Sequence, residues 1–420
     1  MILYKLFIFL FFFSFSNLFA QVYKGFSNKD VQSMHDKWNL ENWDDGGKIS
    51  RYTYLNMPEF WTHAIINRNG NVKNLIEDYR KEVEEFVIQS DLGEMSLQSY
   101  VNTSDMVDGM IVLHGNQIVY EAYPRMFAYE KHLYMSVSKV FASTLISILE
   151  ERNLLDVSKP IDYYLPELKK SGWENVPIID ILDMASGIDC REFVEGAYEN
   201  PETCYYQFEA ALGFLTRTEK TADNAYDYIK SLSSSKVPGN IFEYTSVNTF
   251  VLSNLVERIT GLSYAKNIER EIWQKIGAES DALITQTNGI SISHVGINST
   301  LRDLARFGHM FLPEGRSSKS SFVSEKYYNR IQKEGRPQLL IAYDSKNNTL
   351  DSDIPHHNTY QWDKVMVDGD FYKSGFGGQG LYISPSRNLV IAFFGTTNDD
   401  GMNNQCADIA RQIAKSGLFE

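Results

Sequence analysis

Ser136 and Lys139 stand three residues apart at the head of a helix-compatible run, Val140 to Glu150. On a helix that spacing puts both side chains on one face, one turn apart. Burial of that face strips the lysine of water, lowers its pKa and leaves a neutral amine able to take the serine proton. The serine then acts as a nucleophile, and the start of a helix offers partial positive charge to the oxyanion that forms. The chemistry implied is acyl transfer to serine without a histidine base. The same spacing recurs at Ser233–Lys236 and Ser263–Lys266, so spacing alone does not select a site. Ser233–Lys236 runs into Val237-Pro238-Gly239-Asn240, where no helix can hold the pair. Ser263 opens a segment whose charged residues, Lys266, Glu269 and Arg270, read as a solvated face. Ser136 is followed by a run apolar enough to bury its lysine; the bland alternative is a helix start with an exposed lysine.

A Ser/Lys pair needs a proton shuttle to the leaving group and a second oxyanion donor opposite the helix. Glu243-Tyr244-Thr245-Ser246 follows the Pro238-Gly239 turn and opens a helix, Val247 to Ile259, so Tyr244 is placed to aim a hydroxyl at a cleft. With 25 tyrosines in the chain, a packing role competes with that one. Lys373-Ser374-Gly375-Phe376-Gly377-Gly378-Gln379 precedes a strand, and glycines at a strand edge let a ligand or another backbone come close. A plain turn or bulge is the competing reading.

The elements that must position these residues read as strands, helix, helical region, strands, helix. Met110–His114 and Ile118–Ala122 flank a Gly-Asn turn as a hairpin. A helical stretch is predicted over Val72–Ile88, a turn-studded helical region runs from about 155 to 290, and Thr300-Leu-Arg-Asp303 caps a helix over Leu301–Phe311. Glu314–Asp363 reads as a long polar loop. Strands follow at Gly380–Ser384 and Leu389–Phe394, and a closing helix covers Met402–Lys415. Hairpins from both ends of the chain would share one antiparallel sheet with helices on its faces, an α/β body with an inserted, mostly helical domain.

In this order, Ser-x-x-Lys after a hairpin, Tyr-x-Ser before a helix and Lys-Ser-Gly on a late strand resemble the penicillin-recognising serine hydrolases. That superfamily holds class C β-lactamases, D-Ala-D-Ala carboxypeptidases, related esterases and 6-aminohexanoate-dimer hydrolases. Leu182-Asp-Met-Ala-Ser-Gly187, Gly296 to Gly308 and Gly375-Phe-Gly-Gly-Gln379 look family-like too, and the resemblance spans roughly residue 105 to the C-terminus. It implies a serine β-lactamase/transpeptidase-like fold, with residues 21–104 as an N-terminal extension and 105–420 as the catalytic domain. It assigns Ser136 as acylated nucleophile, Lys139 as base and Tyr244 as general acid/base, with the backbone N–H groups of Ser136 and Phe376 as oxyanion hole. Lys373, Ser374, Gly375 and Ser246 would face substrate, and Tyr198 and Asn298 would line the pocket. Ser246 stands where many relatives have Asn, which argues against efficient β-lactam turnover. The Tyr-x-Ser form and the Gly-x-x-Gly-Gln ending are nearest the 6-aminohexanoate-dimer hydrolase branch, although Lys373 is a lysine that this branch often lacks. The implied activity is hydrolysis of a small-molecule amide or ester. Alternatives are a penicillin-binding or sensor-like protein that acylates slowly, a D-Ala-D-Ala carboxypeptidase and a β-lactamase. An α/β-hydrolase triad is disfavoured, because no Gly-x-Ser-x-Gly elbow is present.

Residues 1–20 read as a secretory signal: Lys5, an apolar run from Leu6 to Phe13, and Ala20 before Gln21. Ser14, Ser16 and Asn17 break that run short of a membrane span, and no later segment supplies one. The expected product is exported, periplasmic or secreted, without a stable membrane anchor. A net charge of −14 with no Lys/Arg cluster argues against a nucleic acid partner. Of three cysteines, Cys190 and Cys204 would close a short loop; one of Cys190, Cys204 and Cys406 is left over, and the spacing does not decide the pairing. No Cys-x-x-Cys or His-Glu-x-x-His occurs and His356-His357 sits beside Pro355, so neither a metal site nor a cofactor is expected.

Overall fold

The computed structural model describes residues 23–341 and 349–419; the expected signal segment, 1–20, lies outside them. The centre is an eight-stranded sheet. Its order is His357–Thr359, Trp362–Val365, Phe371–Gly375, Gln379–Ser384, Leu389–Gly395, Val107–His114, Gln117–Ala122 and Ile76–Glu77. Neighbours are antiparallel except for the last pair, which is parallel. The strand from the early hairpin thus lies beside one of the last in the chain, Val112 opposite Ile391.

Both central strands are buried on both faces, which is why they read as continuous apolar runs rather than alternating ones. The period of two still sorts their side chains. Ile111, Leu113, Val390, Ala392 and Phe394 enter the larger core with the helices Lys139–Glu151 and Leu301–His309. Met110, Val112, Leu389, Ile391 and Phe393 face the closing helix, Cys406–Ala414. Thr300 caps the Leu301 helix as its sequence predicts, its hydroxyl accepting from the Asp303 N–H at 3.3 Å. From residue 155 to 280 the named elements are helices, the longest being Ser246–Thr260. A second sheet, built on Thr62–Ile66, Ala282–Thr287, Ile297–Ser299 and His132–Leu133, lies where the chain enters and leaves that region.

Three expectations need correction. The predicted Val72–Ile88 helix is instead the edge strand Ile76–Glu77, one helical turn at Lys81–Glu84 and the strand Val87–Ser90. The N–H groups of Ile76, Asp78 and Arg80 donate to Asn116, Ile118 and Val119, so pairing with the hairpin claims the donors a helix would have used. The polar loop after Glu314 contains a helix, Glu325–Gln332, that buries Tyr327 and Ile331 four residues apart. It also contains the strands His357–Thr359 and Trp362–Val365. The closing helix begins at Cys406 rather than Met402.

The early segment is fastened by charge as well as by its tryptophans. Arg51 Nε donates to the buried Asp108 at 2.6 Å, and His132 and Thr396 surround the same carboxylate. Burial pushes the Asp108 carboxyl up, but Arg51, His132 and Thr396 outweigh it and hold it down at about 2. Its folded value lies below its ordinary 3.8; that contribution is present above about pH 4 and is lost as pH falls toward 2. Asp108→Ala strands Arg51 and should cost about 3 kcal/mol in urea unfolding at pH 7. A loss below about 1 kcal/mol would mean the clamp is not structural.

Candidate active site

Ser136 sits in a tight 3-10 turn, Met135–Ser138, that runs into the Lys139 helix. Met135 holds φ of +48°, a left-handed conformation that costs a non-glycine residue of order 1 kcal/mol and is kept only where surroundings enforce it. The surroundings do. Tyr134 N–H donates to the Ile297 carbonyl at 2.8 Å, and Ile297 N–H donates to Ser138 Oγ at 3.2 Å. On the other side the Lys373 strand ends against the same turn: a Cβ on Gly375 would lie 2.6 Å from the Tyr134 carbonyl oxygen. Glycine is needed there because the two backbones touch.

Lys139 is fully buried, and its Nζ lies 2.8 Å from Ser136 Oγ and 3.3 Å from the His294 carbonyl oxygen. Burial drives its pKa down to about 8, with Lys373 adding to the effect, while Glu192, Asp363 and Glu209 work against it. At neutral to mildly alkaline pH a sizeable fraction of this amine is therefore uncharged and able to accept a proton. Tyr244 lies over the pair. Lys139 Nζ is 5.1 Å and Lys373 Nζ 4.8 Å from the centre of its ring, and Lys373 donates to its hydroxyl at 3.1 Å. Ser136, Lys139, Tyr244 and Lys373, drawn from three distant stretches of sequence, thus form one cluster.

Phe376 lies half-exposed in the short turn between the Phe371–Gly375 and Gln379–Ser384 strands. Gln379 holds that turn, donating to the Phe376 carbonyl at 3.1 Å and accepting from Gly395 N–H at 2.9 Å. Asn404 Nδ2 donates to Gly378 O at 3.1 Å; Gly378, at φ +89°, could not carry a side chain there without meeting Asn404. Ser246 and Tyr198 join the cluster through a residue the sequence did not single out, Glu192. Its Oε2 accepts from Ser246 N–H at 2.9 Å and Ser246 Oγ at 2.7 Å, and its Oε1 accepts from Tyr198 OH at 3.0 Å. The carboxylate therefore caps the N-terminal end of the Ser246 helix. Cys190 and Cys204 form a disulfide that closes this loop, Thr245 donates to the Cys190 carbonyl at 2.6 Å, and the Phe193 ring packs at a tilt 5.2 Å from that of Tyr244. Cys406 is the free, buried cysteine.

Asn298 stands apart from this cluster. Its side chain donates to Gly296 O at 2.9 Å and lines a separate cleft with Asn56, Tyr129 and Lys131. The rival spacings are inert: Lys236 pairs with Glu243, and Ser263 caps a short helix whose Lys266 pairs with Glu269. Besides Glu192, sequence reasoning missed Asp363, which binds Lys373 and Ser374, and Glu209, whose Oε1 lies 3.1 Å from His294 Nε2. It also missed Asp44, whose carboxyl is pushed up to about 7 by burial, Asp45 and Glu209. Asp363 ends the stretch read as a polar loop and Glu192 falls among the turns of the helical region, and their roles exist only through pairing across the fold. Among the described residues no cluster of His, Cys, Asp and Glu could hold a metal ion.

This sheet-and-helix architecture, with a buried Ser–Lys pair beneath Tyr244, defines the class of serine β-lactamase and penicillin-binding folds. The chain belongs to the beta-lactamase family, whose model matches residues 103–415, and it is a hydrolase of that family. It is 30% identical over 288 residues to a 6-aminohexanoate-dimer hydrolase of Paenarthrobacter ureafaciens, covering 68% of this chain and 71% of that one. A solved structure from Bacillus anthracis, described as a candidate 6-aminohexanoate-dimer hydrolase, superposes with TM-score 0.72 at 25% identity over 91% of this chain and 96% of that one. A class C β-lactamase from Rhodobacter sphaeroides shares the fold, with TM-score 0.51 at 16% identity over 75% and 95%.

The geometry makes a direct prediction about Lys139. NMR of its side chain should show it titrating near pH 8. Glu192 is the largest charge raising that value, so Glu192→Gln should move the titration to lower pH. An unmoved or upward-shifted midpoint would show that Glu192 does not act on this amine.

Proposed function

We propose that this protein is an exported hydrolase of small amide or ester substrates that works through an acyl-enzyme on Ser136. The observation that carries the reading is the 2.8 Å approach of a buried, pKa-lowered Lys139 to Ser136 Oγ, with Tyr244 overhead. Lys139 takes the hydroxyl proton as Ser136 Oγ attacks the scissile carbonyl. The tetrahedral oxyanion is held by the backbone N–H groups of Ser136 and Phe376. Tyr244, kept in place by Lys373, gives its hydroxyl proton to the departing amine or alcohol as the bond to that group breaks, and takes in return the proton that Lys139 removed from Ser136. Water then repeats the sequence on the acyl-serine and restores the hydroxyl. The similarity to a 6-aminohexanoate-dimer hydrolase supports a linear amide or ester substrate. Export is supported by residues 1–20 and by the Cys190–Cys204 disulfide, a bond that persists in oxidising compartments.

Labelling with a fluorescent phosphonate should modify the wild-type protein and leave Ser136→Ala untouched; equal labelling of both would remove Ser136 as nucleophile. On p-nitrophenyl esters, Ser136→Ala and Lys139→Ala should each lose at least about 10³-fold in kcat with unchanged circular dichroism. Tyr244→Phe should lose about 10²-fold or more. A stoichiometric burst with no steady state would instead favour a slow, sensor-like acylation. Over pH, kcat/KM should rise through about 8 as Lys139 loses its proton; a flat profile between pH 6 and 9 would rule out the lysine base.

A further inference from the structure

We infer that Asp363 is a specificity-determining residue: an internal carboxylate that fills the anion-binding face of Lys373 and Ser374 and turns the site against substrates with a carboxylate beside the scissile bond. This deepens the reading above and rests on it. The β-ladder delivers the carboxylate. Lys364 pairs with Tyr372, which sets Asp363 directly across from Lys373 on the neighbouring strand. Asp363 Oδ1 lies 2.5 Å from Lys373 Nζ, and Oδ2 accepts both the Ser374 N–H, at 2.9 Å, and the Ser374 hydroxyl.

An ammonium, a hydroxyl and a backbone N–H converging on one point make a receptor for a carboxylate or phosphate. Here the protein supplies the anion itself. Lys373 is fully buried, and its other donation goes to Tyr244. An incoming carboxylate would have to displace Asp363 and leave that group charged and unpaired at its position 14% exposed, a costly exchange. The surrounding charges act in the same direction. Glu192 and Glu209 also face Lys139; Glu209 is bonded to His294, so once Lys139 is neutral Asp363 and Glu192 are the carboxylates left opposite the Lys373 ammonium. The polar neighbours Tyr198, Tyr205 and Tyr244 add no fixed cation to the pair. A neutral substrate pays none of these penalties.

The test is a ratio of kcat/KM values. Phenyl butyrate is compared with 3-carboxyphenyl butyrate, and p-nitrophenyl butyrate with p-nitrophenyl hydrogen succinate, so that a carboxylate is offered on either side of the ester. The wild-type enzyme should prefer each neutral ester by at least about tenfold. Asp363→Asn should raise the carboxylate-to-neutral ratio by about tenfold or more for at least one pair, while Asp363→Glu keeps the wild-type ratio. Ratios in Asp363→Asn that stay at the wild-type value for both pairs would overturn the inference. A second measurement needs no variant: butyrate should inhibit the wild-type enzyme no better than butyramide, and stronger inhibition by butyrate would also overturn it. If Ser136→Ala still turns over the neutral esters, the reading of the site itself falls. If Ser136 is essential and the ratios do not move, only the role of Asp363 is lost.

Discussion

Burying one lysine amine is the constraint around which the rest of the structure is arranged. An isolated ammonium in a protein interior is unfavourable by several kcal/mol, and the fold can either pair it or let it lose its proton. Here the two responses are split between two lysines. Lys373 is paired, held by Asp363, whereas Lys139 is left with an alcohol, a carbonyl and the face of a tyrosine. The carboxylates Glu192 and Glu209 stand near enough to temper the shift of Lys139 while their own bonds are spent on Ser246, Tyr198 and His294. A basic amine at near-neutral pH follows from that division.

The remaining architecture holds this arrangement still. The left-handed turn at Met135, the close contact at Gly375 and the Gln379 bridge to Phe376 and Gly395 tie the Ser136 turn and the Phe376 turn to one rigid sheet. The tyrosine arrives from the helical side, where the Glu192 cap and the disulfide-closed loop hold its segment, and Lys373 of the sheet holds its hydroxyl. Two supports thus meet at the Tyr244 hydroxyl, one from the helical side and one from the sheet.

How much of this was legible follows from how local each signal is. Ser136–Lys139 could be separated from its two rivals because helix burial is written in the ten residues that follow it. The Thr300 cap, the early hairpin and the late strands were readable for the same reason. Glu192 and Asp363 were not, because their partners lie 54 and 10 residues away along the chain and are reached only after the fold forms. The Val72–Ile88 stretch misled because its backbone donors are claimed by the hairpin of another segment, a tertiary fact that no local pattern carries. Asn298 looked like a pocket residue by position, yet its amide is occupied by the carbonyl two residues before it.

The neighbouring positions of Val107–His114 and Leu389–Gly395 bear on the order of assembly. The first of these strands leaves the ribosome long before its partner exists, so its central edge waits unpaired through synthesis of nearly 280 residues. Closing so long a loop makes for slow folding, and the half-built sheet is exposed to wrong partners while it waits. A chain cut short before residue 389 would lack that partner strand as well as the closing helix. The Leu389–Gly395 strand must therefore be made before the two ends of the sheet can join.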